Sequence, residues 1–424
     1  MGGALALGLL ACGAGCESGE RGTLPVGAAC ERAGECQGGV CVTSSDPRLF
    51  VGGYCTSGCD PAADECGPDA ACYPLPGYEP VCMRTCAAAT DCREPGYVCV
   101  GVCLPEPTTT PLVRPGTLVG TEPAIASRIA AVDDERVMRR VRVLAGEEPW
   151  DGPGGAVTLR SRALGHPDHD LVAAYLEAEL VAAGLEVRRL ETTLDGTTYI
   201  NLEATVAGTD PAAEPVYLLA HWDSTASAEP GWKAGVTPAP GAGDNASGTA
   251  IALEVGTILA APEAARPRRP TRLVLFDGEE VGLYGSTLYV EELTRTGARV
   301  ACALDVDMVH ATMPATAGRL WYLFPAAAPF WAGLGAEAAE RFVSEVPLIP
   351  SDDDRMASDH RPFWDAGFCA VALIAYPRLP SNHGSDDTTA TFQPAYFAAV
   401  TRAAVAIAAA WSDGDPDAAS ALLR

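Results

Sequence analysis

The sequence predicts an α/β protein, a mixed and mainly parallel sheet with helices on both faces, preceded by a disulfide-rich repeat module. Two observations carry this expectation. Twelve of the sixteen cysteines fall between Cys30 and Cys103. Beyond them, short apolar runs alternate with helical patterns, and several of the runs stop at an acidic or imidazole side chain. The 424 residues exceed one typical domain, and a hydrophobic content of 48% is ample for a large core. With 29 basic against 55 acidic residues, the net charge of −26 opposes binding to nucleic acid or to an anionic lipid surface.

The apolar run Ala4 to Ala11 is too short to cross a membrane but has the length of a signal-peptide core. Leu9-Leu10-Ala11-Cys12 resembles the lipobox of bacterial lipoproteins, although no Lys or Arg precedes the run. Residues 1–20 are therefore expected to be a leader. The protein is expected to be exported, either secreted or held at the cell surface by a lipid on Cys12, its one expected link to a membrane.

Residues 21–104 form the Cys-rich module. Such density in an exported chain means disulfides, and the absence of His from the segment speaks against metal binding. The spacing Cys55-x3-Cys59-x6-Cys66-x5-Cys72 is echoed by Cys82-x3-Cys86-x5-Cys92-x6-Cys99, with Cys103 after it and Cys30, Cys36 and Cys41 as a partial unit before. That is a tandem repeat whose connectivity and binding partner the spacing leaves open. The Pro- and Thr-rich residues 105–125 read as an extended linker. Catalysis is assigned to residues 126–424.

In that second part Asp170 to Ala183 reads as an amphipathic helix closed by Gly184. Strands are expected at Leu185 to Leu190, Tyr199 to Ala207, Val216 to Ala220, Leu273 to Phe276, Arg299 to Val306 and Ala370 to Ala375. Further helices are expected near Ser247 to Ala261 and Gly285 to Thr296. Cys302 and Cys369 fall in expected strands and read as buried small apolar residues, with a disulfide as the alternative in an oxidising compartment.

Ligand-type residues sit at the ends of these strands. The run 216–220 enters His221-Trp222-Asp223, and 273–276 enters Asp277-Gly278-Glu279-Glu280. The run before Val306 ends in Asp307, and 370–375 leads by a loop to His383. Asp244 lies in the small-residue loop Gly243-Asp244-Asn245-Ala246-Ser247-Gly248, which lets backbone and ligand approach closely. Two His and three carboxylates form an oxygen and nitrogen set suited to Zn2+. Five such groups exceed the needs of one tetrahedral ion that also holds a water, and they suit two ions sharing a carboxylate. Two neighbouring glutamates point in different directions, so one can bind a cation while the other handles a proton.

Taken in order, His221-x-Asp223, the Gly243 to Gly248 loop, Asp277-Gly278-Glu279-Glu280 with Gly282-Leu283-Tyr284-Gly285-Ser286, Asp307-Met308-Val309, Ser358-Asp359-His360 and His383 with Asp386-Asp387-Thr388 resemble the secreted co-catalytic dizinc aminopeptidases, the bacterial leucyl aminopeptidase-like zinc exopeptidases. The resemblance covers about residues 126 to 412. It implies two Zn2+ per chain, His221 and Asp307 on one, Glu280 and His383 on the other, and Asp244 between them. It also implies Glu279 as general base, peptides as substrates, and a cis peptide bond after Asp244. Asp223 would accept the other ring N–H of His221. Asp305 rivals Asp307, because two residues along a strand share a face. Some members carry a Tyr before the Ser-Asp-His motif that stabilises the tetrahedral intermediate. This chain has Asp352-Asp353-Asp354-Arg355 there, and Arg355 either takes over as oxyanion donor or neutralises its acidic neighbours. His166, His169, His310 and His360 match no ligand position and are expected at the surface or behind the ligands.

Three functions compete. The first is a zinc exopeptidase removing N-terminal residues. The second is a glutaminyl cyclase-like acyltransferase, which shares the 276–286 pattern. The third is a surface-binding lipoprotein with a relic second domain. The 244–248 loop looks like the peptidases, and none of the six ligand and base positions is lost.

Overall fold

The computed structural model describes residues 22–414 except 43–49, 51, 61–62, 64, 74–79, 94–95, 100, 107–108, 119, 263–264, 314–315, 317, 326–328 and 353–356. The expected leader with Cys12, and Arg355, lie outside the described residues. The chain divides into two compact units, Met1–Pro107 and Thr108–Arg424.

Among the described residues, the first unit carries three hairpins: β1 (Val40–Val42) with β2 (Tyr54–Thr56), β3 (Ala70–Tyr73) with β4 (Val81–Arg84), and β5 (Tyr97–Cys99) with β6 (Cys103–Pro105). In each, two cysteines face one another across the strands: Cys41 and Cys55, Cys72 and Cys82, Cys99 and Cys103. Each of these reaches back to an earlier cysteine. The bridges are Cys30–Cys41 and Cys36–Cys55, Cys59–Cys72 and Cys66–Cys82, Cys86–Cys99 and Cys92–Cys103. The repeat is therefore three four-cysteine units, each linked first to third and second to fourth. This corrects the phase inferred from spacing, in which Cys55 and Cys82 opened units; they close them. The reason is physical, since cross-strand pairing groups the cysteines and spacing does not reveal which pairs share a hairpin. A small core of Tyr54, Met83, Tyr97 and Leu104 fills the space between.

In the second unit two helices, α1 (Glu122–Ala130) and α2 (Asp134–Leu144), and a hairpin of β7 (Trp150–Gly152) and β8 (Gly155–Val157) precede α3 (His169–Ala182). Strands β9 (Val187–Leu194), β10 (Thr197–Val206) and β11 (Val216–His221) follow, then α4 (Ser247–Ala260), β12 (Thr271–Phe276) and α5 (Tyr284–Thr296). The rest comprises β13 (Ala303–Asp307), β14 (Leu320–Leu323), α6 (Pro329–Phe342), β15 (Leu348–Ser351), α7 (His360–Asp365), β16 (Ala370–Ile374) and α8 (Pro394–Asp413). The eight-stranded sheet runs β15-β14-β16-β13-β11-β12-β10-β9. Its centre, β16-β13-β11-β12, is parallel, while β10 joins β12, and β14 joins β16, in antiparallel fashion.

Side-chain alternation sorts the central strands onto two cores. Leu218 and Ala220 of β11 and Leu273 and Leu275 of β12 face the larger one, with α2, α3, α4, α6 and α8. Tyr217, Leu219, Val274 and Phe276 face the smaller one under α5 and α7. The 20-residue α8 is long and apolar enough to cross a membrane, but it is the core helix of this unit and is largely buried in it.

Two expectations change. The stretch read as a linker is held by the second unit over much of its length: Leu118 and Ile125 are buried in the main core, and Leu112 packs against it. Arg114 Nε donates to Glu340 over 2.9 Å, the Gly116 N–H donates to Glu337, and Thr110 Oγ1 donates to Asp352 over 2.6 Å. Spaced leucines give this Pro-rich segment an apolar side that composition alone hides. Cys302 and Cys369, read first as buried small residues, are joined in a disulfide. They stand on adjoining parallel segments, where Cys369 O accepts from Ala303 N–H.

Candidate metal centre

The central parallel strands point their carboxyl ends the same way, and the ligand-type residues gather at that edge. His221 closes β11, Glu279 and Glu280 follow β12, Asp307 closes β13, and His383 lies in the loop after β16. Asp244 sits between Ala242 and Ala246, in a turn that leaves helical geometry at Asp244 and Asn245 before α4 begins. The Asp244–Asn245 peptide bond is cis, as the resemblance implied.

Asp244 stands between the two imidazoles. Its Oδ1 is 3.3 Å from His221 Nε2 and its Oδ2 is 3.0 Å from His383 Nε2. On one side His221 Nε2 lies 3.4 Å from Asp307 Oδ1 and 4.0 Å from Glu279 Oε2. On the other, His383 Nε2 lies 3.0 Å from Glu280 Oε2. Ligand-type atoms of His221, Glu279 and Asp307, and of His221, Asp244 and Glu280, fall within 4.8 Å of one another. The rivalry on β13 resolves into two destinations: Asp307 turns to His221, whereas Asp305 Oδ2 accepts from the backbone N–H of His360 and lies 2.9 Å from its Nδ1.

Electrostatics explain what this arrangement asks for. Burial lifts the Glu279 carboxyl well above its usual range against the pull of His221, and Glu280 and Asp307 add to the rise. Burial also lifts Glu280 to about 7, helped by Asp244. Burial opposes protonation of His383, yet Glu280 and Asp244 outweigh it and raise the ring to about 10. For Asp244, burial is overcome by the hydrogen bonds of the two imidazoles, which hold it low. Crowded buried carboxylates thus share protons with two imidazoles. Both His221 nitrogens, Glu280 Oε1 and Asp307 Oδ1 are buried without a hydrogen-bond partner. A divalent cation supplies both the missing charge and the missing partners, so these residues fit metal.

The surroundings pin each ligand. Asp223 does more than the sequence suggested. Its Oδ1 lies 3.3 Å from His221 Nδ1, and its two oxygens accept the N–H groups of Glu279 and Glu280, each at 3.2 Å. Asp387 accepts the Gly243 N–H at 2.8 Å and the Asp244 N–H at 3.0 Å. Asn245 Nδ2 donates to Val306 O, tying the bridging loop to β13. A Cβ on Gly248 would lie 1.9 Å from that same oxygen, so α4 approaches only with glycine there.

Three further residues escaped sequence reasoning. The fully buried Arg162 donates to the carbonyls of Trp222, Leu144, Pro240 and Gly241, joining the end of β11 to the start of the Asp244 loop. Asp387 stood in a quoted motif but its service to the loop backbone did not show. Arg378 places Nη1 2.6 Å from His383 Nδ1. The unmatched histidines are not at the surface: His166, His169, His310 and His360 are all buried, and His169 Nε2 lies 3.0 Å from Asp277 Oδ1.

The sheet has the fold of a solved aminopeptidase, and the ligand cluster at its carboxyl edge is a candidate metal centre. Residues 201–408 match the profile of peptidase family M28. A probable zinc metalloprotease of Pyricularia oryzae is 28% identical over 223 residues, 44% of this chain and 42% of its own length. The chain spans 22% to 42% of the fungal relatives it matches. Among solved structures, the LapA aminopeptidase of Legionella pneumophila aligns with a TM-score of 0.57 at 15% identity, covering 72% of this chain and 78% of that one. A glutaminyl cyclase of Fimbriiglobus ruber aligns at 0.52 and 19%, covering 65% and 95%. At these identities the structures speak for the fold alone.

Proposed function

We propose that the second unit is a dizinc exopeptidase that removes N-terminal residues from peptides. The observation that carries the reading is Asp244, whose two oxygens face two different imidazoles, each imidazole with one further carboxylate beside it. His221 and Asp307 would hold one Zn2+, His383 and Glu280 the other, with one oxygen of Asp244 for each. When bound, the pair supplies Lewis acidity at the scissile carbonyl and a water acidified to a pKa near about 7.

The chain's own residues do the rest. Glu279, turned towards His221 without being needed as a ligand, takes the proton of the attacking water and returns it to the leaving amine. Its buried setting raises its proton affinity towards that of the group it serves. Asp223 holds Glu279 and Glu280 apart through their backbone N–H groups, so that one acid binds and the other moves a proton. Arg355 remains proposed as a donor to the developing oxyanion.

Among the described residues, six disulfides in the first unit and one in the second suit an oxidising, extracellular compartment. We place the mature protein outside the cytoplasm, secreted or lipid-anchored at Cys12, with peptides as substrates and no nucleic-acid partner. The test is zinc content together with turnover of free and N-acetylated aminoacyl substrates. About two zinc per chain and cleavage of free amines only is expected. One zinc even in excess metal, with cyclisation of N-terminal glutamine, would replace this reading by the acyltransferase.

A further inference from the structure

Helices α5 and α7 both cover the smaller core, and a groove of about 530 Å³ opens between them. The sequence explains why they do not close on one another. The side chains turned to the gap are short, Thr287 and Thr294 from α5 and Pro362 and Ala366 from α7. Val290, 4% exposed, and the half-buried Leu283 add an apolar lining.

Both walls of the groove are tied to the metal centre. Glu279 O accepts the N–H of Gly282 at 2.9 Å and that of Leu283 at 3.0 Å, so one wall starts a single turn of chain after the candidate base. The other wall is α7, whose first residue, His360, donates its N–H over 3.1 Å to Asp305 on β13, just ahead of the ligand Asp307. Val281 and Tyr284, 49% and 38% exposed, place two large apolar side chains in the loop that joins Glu280 to α5. Neighbouring exposed apolar groups at the rim of a site mark a recognition surface.

The charges of the groove are unequal. Arg361 Nε donates to Asp365 over 2.9 Å, and Arg295 donates to Glu292 twice, at 2.7 and 2.6 Å. Glu291, exposed on the α5 wall, has no hydrogen-bond or ion-pair partner among the described residues. We propose that the groove receives the peptide chain beyond the scissile bond, so that the preferred substrates are peptides of about four residues or more, apolar just past that bond and basic about three positions past it. The inference rests on the exopeptidase reading above. An enzyme that removes one N-terminal residue has the whole remainder of its substrate on the leaving side, and that remainder needs a path out. From Leu283 to Glu291 the α5 wall advances about two turns, or about 11 Å, which an extended chain covers in about three residues. The span exceeds a single side chain and brings the third leaving-side residue to Glu291. The net charge of −26 favours the same basic peptides during encounter.

The test follows kcat/KM of the zinc-loaded wild type over a series of peptide amides, from dipeptide to hexapeptide, that share one N-terminal residue. From dipeptide to tetrapeptide the value should rise roughly tenfold, mostly through KM, as apolar side chains enter the groove, and then level off. At the fourth position Lys should be preferred over Glu by roughly threefold or more at low salt, and about 0.5 M salt should shrink that preference. Thr287→Trp, which fills the groove with an indole, should bring the ratio of tetrapeptide to dipeptide close to one. Glu291→Arg should reverse the choice between Lys and Glu and keep the gain from length. A wild type whose kcat/KM is flat with length, or a Thr287→Trp variant that keeps the full gain, overturns the proposal and leaves the exopeptidase reading standing. Dimerisation in sedimentation that Thr287→Trp abolishes, with no effect of peptide length, assigns the groove to a second copy of the chain and overturns it as well. A zinc-loaded wild type that cleaves no peptide overturns both readings.

Discussion

Gly243→Ala tests how tightly the bridging loop is built. Gly243 precedes Asp244, and a Cβ placed there would meet the His310 ring at 2.1 Å from Cε1, 2.3 Å from Nδ1 and 2.6 Å from Nε2. The ring cannot swing aside cheaply, since His310 is fully buried and its centroid lies 5.0 Å from that of Phe392. Overpacking of this kind costs about 1 to 3 kcal/mol. In a unit of this size that is a loss of roughly 2 to 12 °C in Tm. The loop must move to accommodate the methyl, and it is the segment whose N–H groups Asp387 holds, so zinc affinity should fall as well. The decisive comparison is a double-mutant cycle with His310→Ala, which removes the obstacle. In that background the added methyl should cost less than about 0.5 kcal/mol, giving a coupling of about 1 to 3 kcal/mol between the two sites. Thermal melts of the four metal-free proteins, with zinc content measured in parallel, read this directly. If Gly243→Ala costs as much without the ring as with it, the steric account is wrong.

Glu279→Gln should retain both zinc ions and lose roughly 10² to 10⁴ in kcat, because it deletes the proton carrier and keeps the ligands; loss of a metal would show that Glu279 and Glu280 had been assigned each other's roles. The metal-free protein should lose stability as pH rises from about 4 to about 7. Glu280 and Asp387 both reach about 7 in the fold, lifted first by burial and then by Asp244, so the folded chain binds more protons than the unfolded one and that advantage disappears as pH passes their folded values. Zinc displaces those protons, so the Tm gap between zinc-saturated and chelator-treated samples should widen from pH 5 to 8; a constant gap would contradict the linkage. A chain beginning at residue 108 should melt like the second unit of the full protein. One beginning at residue 119 should be less stable by about 2 to 4 kcal/mol, through loss of the buried Leu118 and the Arg114–Glu340 pair, and equal melting of the two would return residues 109–118 to the status of linker.

What the sequence determined by itself is the part of the fold in which local pattern and function coincide. Strands β11, β12, β13 and β16 were legible because a strand buried on both faces has to be continuously apolar, and their ligands were legible because an acid or imidazole ends each run or the loop after it. The helices α3, α4 and α5 carried the same kind of signal. Connectivity and counter-charges were decided only in three dimensions. The cysteine bridges depend on which cysteines oppose one another across a hairpin, and spacing is blind to that. Asp305 and Asp307 share a strand face and an identical side chain, and only the approach of His221 to one and His360 to the other separates their duties. Arg162 finds its four carbonyl partners in segments up to 79 residues away, Asp387 serves a backbone more than 140 residues earlier, and Arg378 meets His383 through the path of a loop. Residues such as these act on backbone groups or on another side chain's free edge. No residue type marks such a target along the chain, and only folding brings the two together.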